Sequence, residues 1–442
     1  MKPAFRMKAA AVAVAVAAAL GGIAEVAAQS SNEIFIPVLV YRTGAYAPNG
    51  VPWADGFVDY LKLVNARDGG VNGVKIAFEE CETGYATDRG VECYERLKSK
   101  KPVVFNPLST GITYALTDKV AADKITLLTT GYGRSDSVDG SVFAWNFPLL
   151  GTYWTAANVA IQHIAKEMGG LDKLKGKKIA LLYHDSPYGK EPIAALDIMS
   201  KKYGFEFLPI PVAAPGTEQK SQWLQIRQQR PDYVLLWGWG VMNSAAVTEA
   251  GNVNYPRDKM IGVWWSGAEP DVVPAGEKGA GYKALMLQHP AGKSAVYGDL
   301  EKFVIAPGKS LAKPDEIGSV LYNRGLINSM LGTESIRTAM AKFGNKPMTG
   351  EQVRWGIEHL DLTADRIKQL GFEGMIGPIK VSCADHEGTR LSRVHQWDGK
   401  KWNIISDWYT ADDAVIAPLV KDTAAKYATE KKITPRDCSK ES

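Results

Sequence analysis

Apolar residues come along this chain in short runs, each followed by a polar loop and then by a segment of helical period. The clearest case is Lys178-Ile179-Ala180-Leu181-Leu182-Tyr183, followed by His184-Asp185-Ser186-Pro187-Tyr188-Gly189. The run predicts a buried strand, the next residues a turn, and Gly189 through Tyr203 a helix. Strand, loop and helix in that order make the unit of an open α/β sheet. The unit repeats. Strand-like runs start at Lys178, Phe205, Asp232 and Lys259, each 27 residues after the last. Their loops share one rim, around Tyr188, Pro215, Trp239 and Trp265, at the carboxyl ends of the strands where such sheets collect ligands. Trp237 and Trp264 fall within strands and are expected in the core. Trp239 and Trp265 fall at strand ends and are expected on a binding rim.

The first third has the same pattern. Strands are predicted at 34–40, 74–79, 103–105 and 125–128, with helices at 53–66 and 87–98 and after Gly111. Phe57, Leu61 and Val64 form one helical stripe, as do Val91, Tyr94 and Leu97. Residues 43–50 read as loop from their Gly, Pro and Asn. Residues 142–151 look like a passage between two α/β halves. The helix after them has a face of Tyr153, Ala156, Ala157, Ala160, Ile161, Ile164, Ala165 and Met168, suited to a sheet. Further on come a strand at 283–288 broken by His289-Pro290, helices near 296–305, 317–343 and 350–359, a short strand at 379–381, and a hairpin around Asp398-Gly399. From about Thr410 the chain is polar and Lys-rich, and reads as a loosely packed tail or surface helix.

At 442 residues the chain exceeds one ordinary core. Lys2, Arg6 and Lys8 precede an apolar run, residues 9–20, too short to span a bilayer. Val26 and Ala28 are placed for cleavage. Residues 1–28 therefore read as a secretory signal peptide. The whole chain carries a formal charge of +4. Removing the three basic residues and Glu25 leaves about +2, with no dense basic run, so nucleic acid is not an expected partner. An exported chain with four cysteines can form disulfides, and four allow three pairings. Cys81 ends a strand and Cys93 lies in the next helix of the same unit, which predicts Cys81–Cys93 and leaves Cys383 and Cys438.

Catalytic motifs fail. His184-Asp185-Ser186 holds triad residue types, but a triad is assembled from distant positions. Gly292-Lys293-Ser294 and Gly308-Lys309-Ser310 lack the Gly five residues earlier that a phosphate loop needs; Leu287 and Phe303 stand there. Gly238-Trp239-Gly240 lacks the third Gly of a dinucleotide fingerprint, Asn243 taking its place. The six His make no metal pattern. No cofactor and no metal are expected. Two loops instead suit an anion. Ser109-Thr110-Gly111 lies between strand and helix, where free N–H groups and hydroxyls can hold a carboxylate. Thr129-Thr130-Gly131-Tyr132-Gly133 repeats that chemistry on the neighbouring strand. The plainer alternative for Ser109 or Thr110 is a helix N-cap, and for Tyr188 a structural turn residue.

Thr43-Gly44 with Asp55-Gly56, Gly69-Gly70-Val71-Asn72-Gly73, Asp185 with Tyr188-Gly189, and Gly377-Pro378 together resemble the periplasmic branched-chain amino-acid-binding proteins, the solute receptors of ABC importers. The resemblance covers roughly residues 33 to 407. It implies an α/β fold of two doubly wound, Rossmann-like lobes joined by three crossovers, near 147–150, 287–290 and 377–381. Lobe 1 would comprise 29–148 and 288–379, lobe 2 149–287 and 380–409, with 410–442 a C-terminal tail. It implies a monomer in the periplasm that serves membrane permease and ATPase subunits. It places ligand contacts at Tyr46, Asn49, Ser109, Thr110, Gly131, Tyr132, Gly133, Tyr188 and Trp239, to which the strand-end position on the rim adds Trp265. The expected ligand is a small carboxylate with a branched or aromatic body. An acidic residue for an α-ammonium would stand just after the strand that begins at Lys259, where Trp264-Trp265-Ser266-Gly267 occurs, with Glu269 only later. If Glu269 reaches the cleft, a hydrophobic amino acid is the better guess; if not, a simple acid is. The alternatives are a sensor of the same fold and an exported enzyme.

Overall fold

The computed structural model describes residues 32–288 and 294–441. The expected signal peptide and the His289-Pro290 break lie outside the described residues. The first lobe holds β1 (Ile34–Val40), β2 (Ile76–Glu82), β3 (Val104–Phe105), β4 (Thr126–Thr130) and β5 (Asn146–Leu149). β1 pairs with β2 in parallel from Ile34↔Ile76 to Val40↔Glu82. A bridge from Val38 to Asn106 joins this pair to β3, which continues in parallel to β4 and β5. All seven residues of β1 are buried. A strand covered on both faces has no polar face to alternate with, which is why its sequence is an unbroken apolar run.

The second lobe is built on β6 (Lys178–His184), β7 (Glu206–Val212), β8 (Tyr233–Trp237), β9 (Met260–Gly262) and β10 (Lys283–Met286), in the order β10-β9-β8-β6-β7. β6 lies between β7 and β8, so the strand order reverses beside it. Such a switch point opens a crevice at the carboxyl ends of the strands. Later in the chain β11 (Asp361–Leu362) and β12 (Ile379–Lys380) pair antiparallel. β13 (Leu391–Trp397) and β14 (Trp402–Ile404) form the expected hairpin, which joins the second sheet by pairing β13 antiparallel to β10. β15 (Tyr409–Thr410) pairs with β13.

Between the lobes, the segment after β5 and the segment before β13 are tied together. Leu150 N–H donates to the Glu387 carbonyl (3.2 Å), and Thr152 N–H to Glu387 Oε1 (2.9 Å). Both disulfides form, Cys81–Cys93 and Cys383–Cys438.

Three elements differ from their sequence reading. The first helix runs Ala47–Asp68, starting six residues before the predicted position, because Pro48 in its first turn is compatible with a helix start. The helix after β6 is split into Pro187–Lys190 and Ile193–Tyr203, with Pro192 between them. The polar C-terminal stretch forms a 19-residue helix, Asp413–Lys431, that buries Val415, Ile416, Val420, Ala424 and Ala428. Its apolar stripe is narrow, so composition hides it.

Candidate ligand-binding site

The facing strand ends meet around a tight cavity lined by Tyr41, Tyr85, Leu108, Ser109, Thr110, Tyr132, Tyr153, Tyr188, Trp239 and Trp265. Six of the ten residues proposed from sequence are in this wall. Ser109 caps the helix Thr110–Asp123, its Oγ accepting from Ile112 N–H (3.4 Å). It is thus both the plain N-cap and part of the wall. Thr110 Oγ1 accepts from Gly133 N–H (3.3 Å) and lies 3.5 Å from the Tyr153 hydroxyl. Leu108, just before the cap, has φ of 46°, a left-handed conformation rare for a branched side chain. Its N–H donates to the Tyr132 hydroxyl (2.8 Å), which in turn donates to Asn106 Oδ1.

From the second lobe, Tyr188 opens the short helix after β6, and its hydroxyl donates to the Gly238 carbonyl (2.9 Å). Trp239 and Trp265 meet edge to face, with ring centres 5.3 Å apart. Tyr41 is edge-on to Trp239 at 6.1 Å, and Tyr132 is edge-on to Trp265 at 5.8 Å. These offsets suit the quadrupoles of the rings. The Trp239 Nε1 donor makes no hydrogen bond of good geometry. Burial pushes the phenols of Tyr41, Tyr85, Tyr132, Tyr153 and Tyr188 up, so all five stay protonated at neutral pH. The wall therefore carries no negative charge.

The other four proposed residues lie beside the cavity. Gly131 and Gly133 do not direct their N–H groups into it; Gly131 N–H donates to the Leu149 carbonyl and Gly133 N–H to Thr110. The Gly131 carbonyl instead accepts from both Trp264 Nε1 and Trp265 Nε1, each at 2.6 Å, across the two lobes. Gly131 has φ of 71°, which favours glycine, and a Cβ there would stand 2.5 Å from Leu287 Cδ1 and 2.9 Å from Trp264 Nε1. Tyr46 packs on Tyr85 and hydrogen-bonds His184 Nε2 (2.8 Å). Asn49, in the first helix rather than a loop, donates to Asp271 Oδ1 (3.0 Å). Both are contacts between lobes.

Tyr41, Tyr85, Leu108 and Tyr153 are wall residues that sequence reasoning missed. Tyr41 directly follows β1, and Tyr85 lies in the loop after β2, the same strand-end signal that marks Trp239 and Trp265. Glu269 does not line the cavity; its Oε2 accepts from Val320 N–H (3.1 Å) at the start of the helix Val320–Phe343. Glu358, Cys383 and Glu441 form a group with metal-ligand types, but Cys383 is held in a disulfide, so its thiolate is not free for a metal.

Two α/β lobes facing each other at their strand ends are the architecture of the type I periplasmic binding proteins. The chain belongs to that family, matching the Periplasmic binding protein description over residues 33–401. It is the substrate-binding protein of an ABC transporter, in a periplasmic family that binds solutes rather than transforming them. A solved protein of the Pseudomonas fluorescens group, described as an ABC transporter permease, is 44% identical with a TM-score of 0.85, over 92% of this chain and 100% of that one. A branched-chain amino acid ABC transporter protein from Thermus thermophilus, with bound valine, is 19% identical with a TM-score of 0.74, over 88% and 99% of the two chains. A solute-binding protein from R. palustris, in complex with benzoate, is 17% identical with a TM-score of 0.66, over 86% and 98%. Comparison with curated proteins gives no significant match.

Proposed function

We propose that the protein binds a small aromatic carboxylate and delivers it to the membrane permease, without chemistry of its own. The observation that carries this reading is the wall itself: five tyrosines, two tryptophans, Ser109 and Thr110, with no carboxylate. Aromatic walls stack on flat ligands and keep water from an anion. Hydroxyls and a helix start can then hold the carboxylate. An α-amino acid would also need an acceptor for its ammonium, and Glu269 is engaged elsewhere. The benzoate-bound relative supports the same class.

The test is a thermal-shift screen of benzoate, 4-hydroxybenzoate, phenylacetate, phenylalanine, leucine and valine, followed by calorimetry on the best binder. Binding raises the melting temperature by mass action. Aromatic acids are expected to stabilise the protein more than the amino acids do. Ser109→Ala is expected to cost about 1.5–3 kcal/mol of binding, the value of a hydrogen bond to a charged group. Trp239→Ala is expected to weaken binding through lost stacking. Tighter binding of leucine or valine than of any aromatic acid would overturn the ligand class. Unchanged affinity in both variants would overturn the site.

A further inference from the structure

Arg324 lies in the helix Val320–Phe343 with 2% of its surface exposed. Its guanidinium carbon is 4.4 Å from the centre of the Trp265 ring, and Trp265 is in the cavity wall. Nη1 donates to the Trp264 carbonyl (2.7 Å) and Nε to Gln288 Oε1 (3.3 Å). Both partners are neutral. The nearby carboxylates are engaged with other groups. Asp271 takes Asn49 and Asn243 on Oδ1 and the Ala268 N–H on Oδ2, while Glu269 takes the Val320 N–H. Burial pushes the guanidinium down to about 9, which leaves it charged at neutral pH, and it pushes Asp271 up to about 6. A buried cation thus stands one side chain from the cavity with no hydrogen-bonded counter-ion among the described residues.

That placement matters because an aromatic cage is ambiguous. Rings present negative faces, and cages of Trp and Tyr are a common way to hold a quaternary ammonium. A cation already stacked on Trp265 occupies that negative face. In a medium of low dielectric its field also reaches into the cavity.

We propose that Arg324 sets the charge preference of the cavity, making the aromatic cage select anions and reject cations. The proposal rests on the aromatic-acid reading and adds the residue that decides its sign. It also accounts for retaining a buried charge with no hydrogen-bonded counter-ion among the described residues, which is costly to stability.

The experiment compares the best-binding acid of the screen with its neutral amide, for example benzoate with benzamide, by calorimetry on the wild type, Arg324→Gln and Arg324→Lys. Arg324→Gln is expected to weaken the acid about tenfold or more while the amide changes about twofold or less. Arg324→Lys is expected to keep most of the preference. If acid and amide weaken by the same factor in Arg324→Gln, the residue only supports the wall and the proposal fails while the ligand class stands. A wild-type protein that binds benzyltrimethylammonium more tightly than the acid overturns the proposal without any variant. If no aromatic acid binds at all, the ligand-class reading falls and this proposal with it.

Discussion

Glu191 is a buried carboxylate placed where the lobes meet. Its Oε2 accepts from the Ser135 N–H (3.2 Å) and Ser135 hydroxyl (2.6 Å), and its Oε1 from the Tyr114 hydroxyl, all from the first lobe. Burial raises its carboxyl from 4.5 to about 7, against those hydrogen bonds and with the help of nearby Asp136. A carboxyl raised in the closed protein stabilises the closed form at low pH. Its contribution is complete below about 4.5 and is lost as pH rises through about 7. Closure near pH 6 should therefore take up protons. Calorimetry of ligand binding near pH 6 in phosphate and in Bis-Tris should show a buffer-dependent enthalpy, and Glu191→Gln should reduce that dependence. Asp271, also raised, leaves a remainder. An identical buffer dependence in the variant would show that Glu191 does not titrate on closure. The carboxylates and hydroxyls of these contacts were not legible in sequence, because they join residues such as Tyr114 and Glu191 that no local pattern relates. What was legible was position at a strand end, and the structure brings Tyr132, Tyr188, Trp239 and Trp265 together in the cavity wall. Gly131 and Gly133 read as anion donors by their place in a loop, yet their N–H groups serve the fold, since hydrogen-bond direction depends on loop geometry that composition does not carry.

Among the elements, the contact between the helices Ala47–Asp68 and Val320–Phe343 depends on two glycines. A Cβ on Gly56 would stand 2.1 Å from the Tyr322 carbonyl oxygen, and one on Gly325 2.1 Å from that of Trp53. Backbone cannot yield as the end of a long side chain can. Gly325→Ala should destabilise the protein by about 1–3 kcal/mol, the usual cost of overpacking, despite the better helix propensity of alanine. Urea unfolding measures this, and a variant as stable as the parent would show that the helices can part at little cost. The same helix carries Arg324, so Gly325→Ala should also disturb ligand binding more than a core substitution far from the cleft. Nothing in the sequence announced this contact: glycine in a helix reads as a weakness until the partner is known. The parallel strands were far more legible, because burial on both faces leaves apolar runs such as residues 34–40 and 178–183. The helix Asp413–Lys431 was not, since a stripe of Val415, Ile416, Val420, Ala424 and Ala428 is lost among lysines and acids.

At the scale of the molecule, the described form is a closed one. The Gly131 carbonyl holds the indoles of Trp264 and Trp265, Asn49 holds Asp271, Tyr46 holds His184, and Ser135 and Tyr114 hold Glu191. Each pair has one partner in each lobe, and Trp265 is both a closure contact and a cavity wall. A ligand that touches Trp265 therefore touches closure. The cavity wall is mostly of buried rings and leaves little free space, so ligand entry is expected to need these pairs to part while the tied segments around Leu150 and Glu387 hold the lobes together. Ligand binding should then shift an equilibrium between open and closed forms. Moving it from mostly open to mostly closed needs about 5.5 kcal/mol of preferential binding to the closed form. Small-angle scattering with and without the best acid of the screen should show a smaller radius of gyration when ligand is present. Gly131→Ala, which pushes against Leu287 and Trp264 in the closed form, should keep the protein open and weaken the ligand without removing any group from the wall. The variant should scatter like the ligand-free wild type even where the wild type is saturated. An unchanged radius on saturating the wild type would mean that the lobes do not part, and the route into the cavity would have to lie elsewhere.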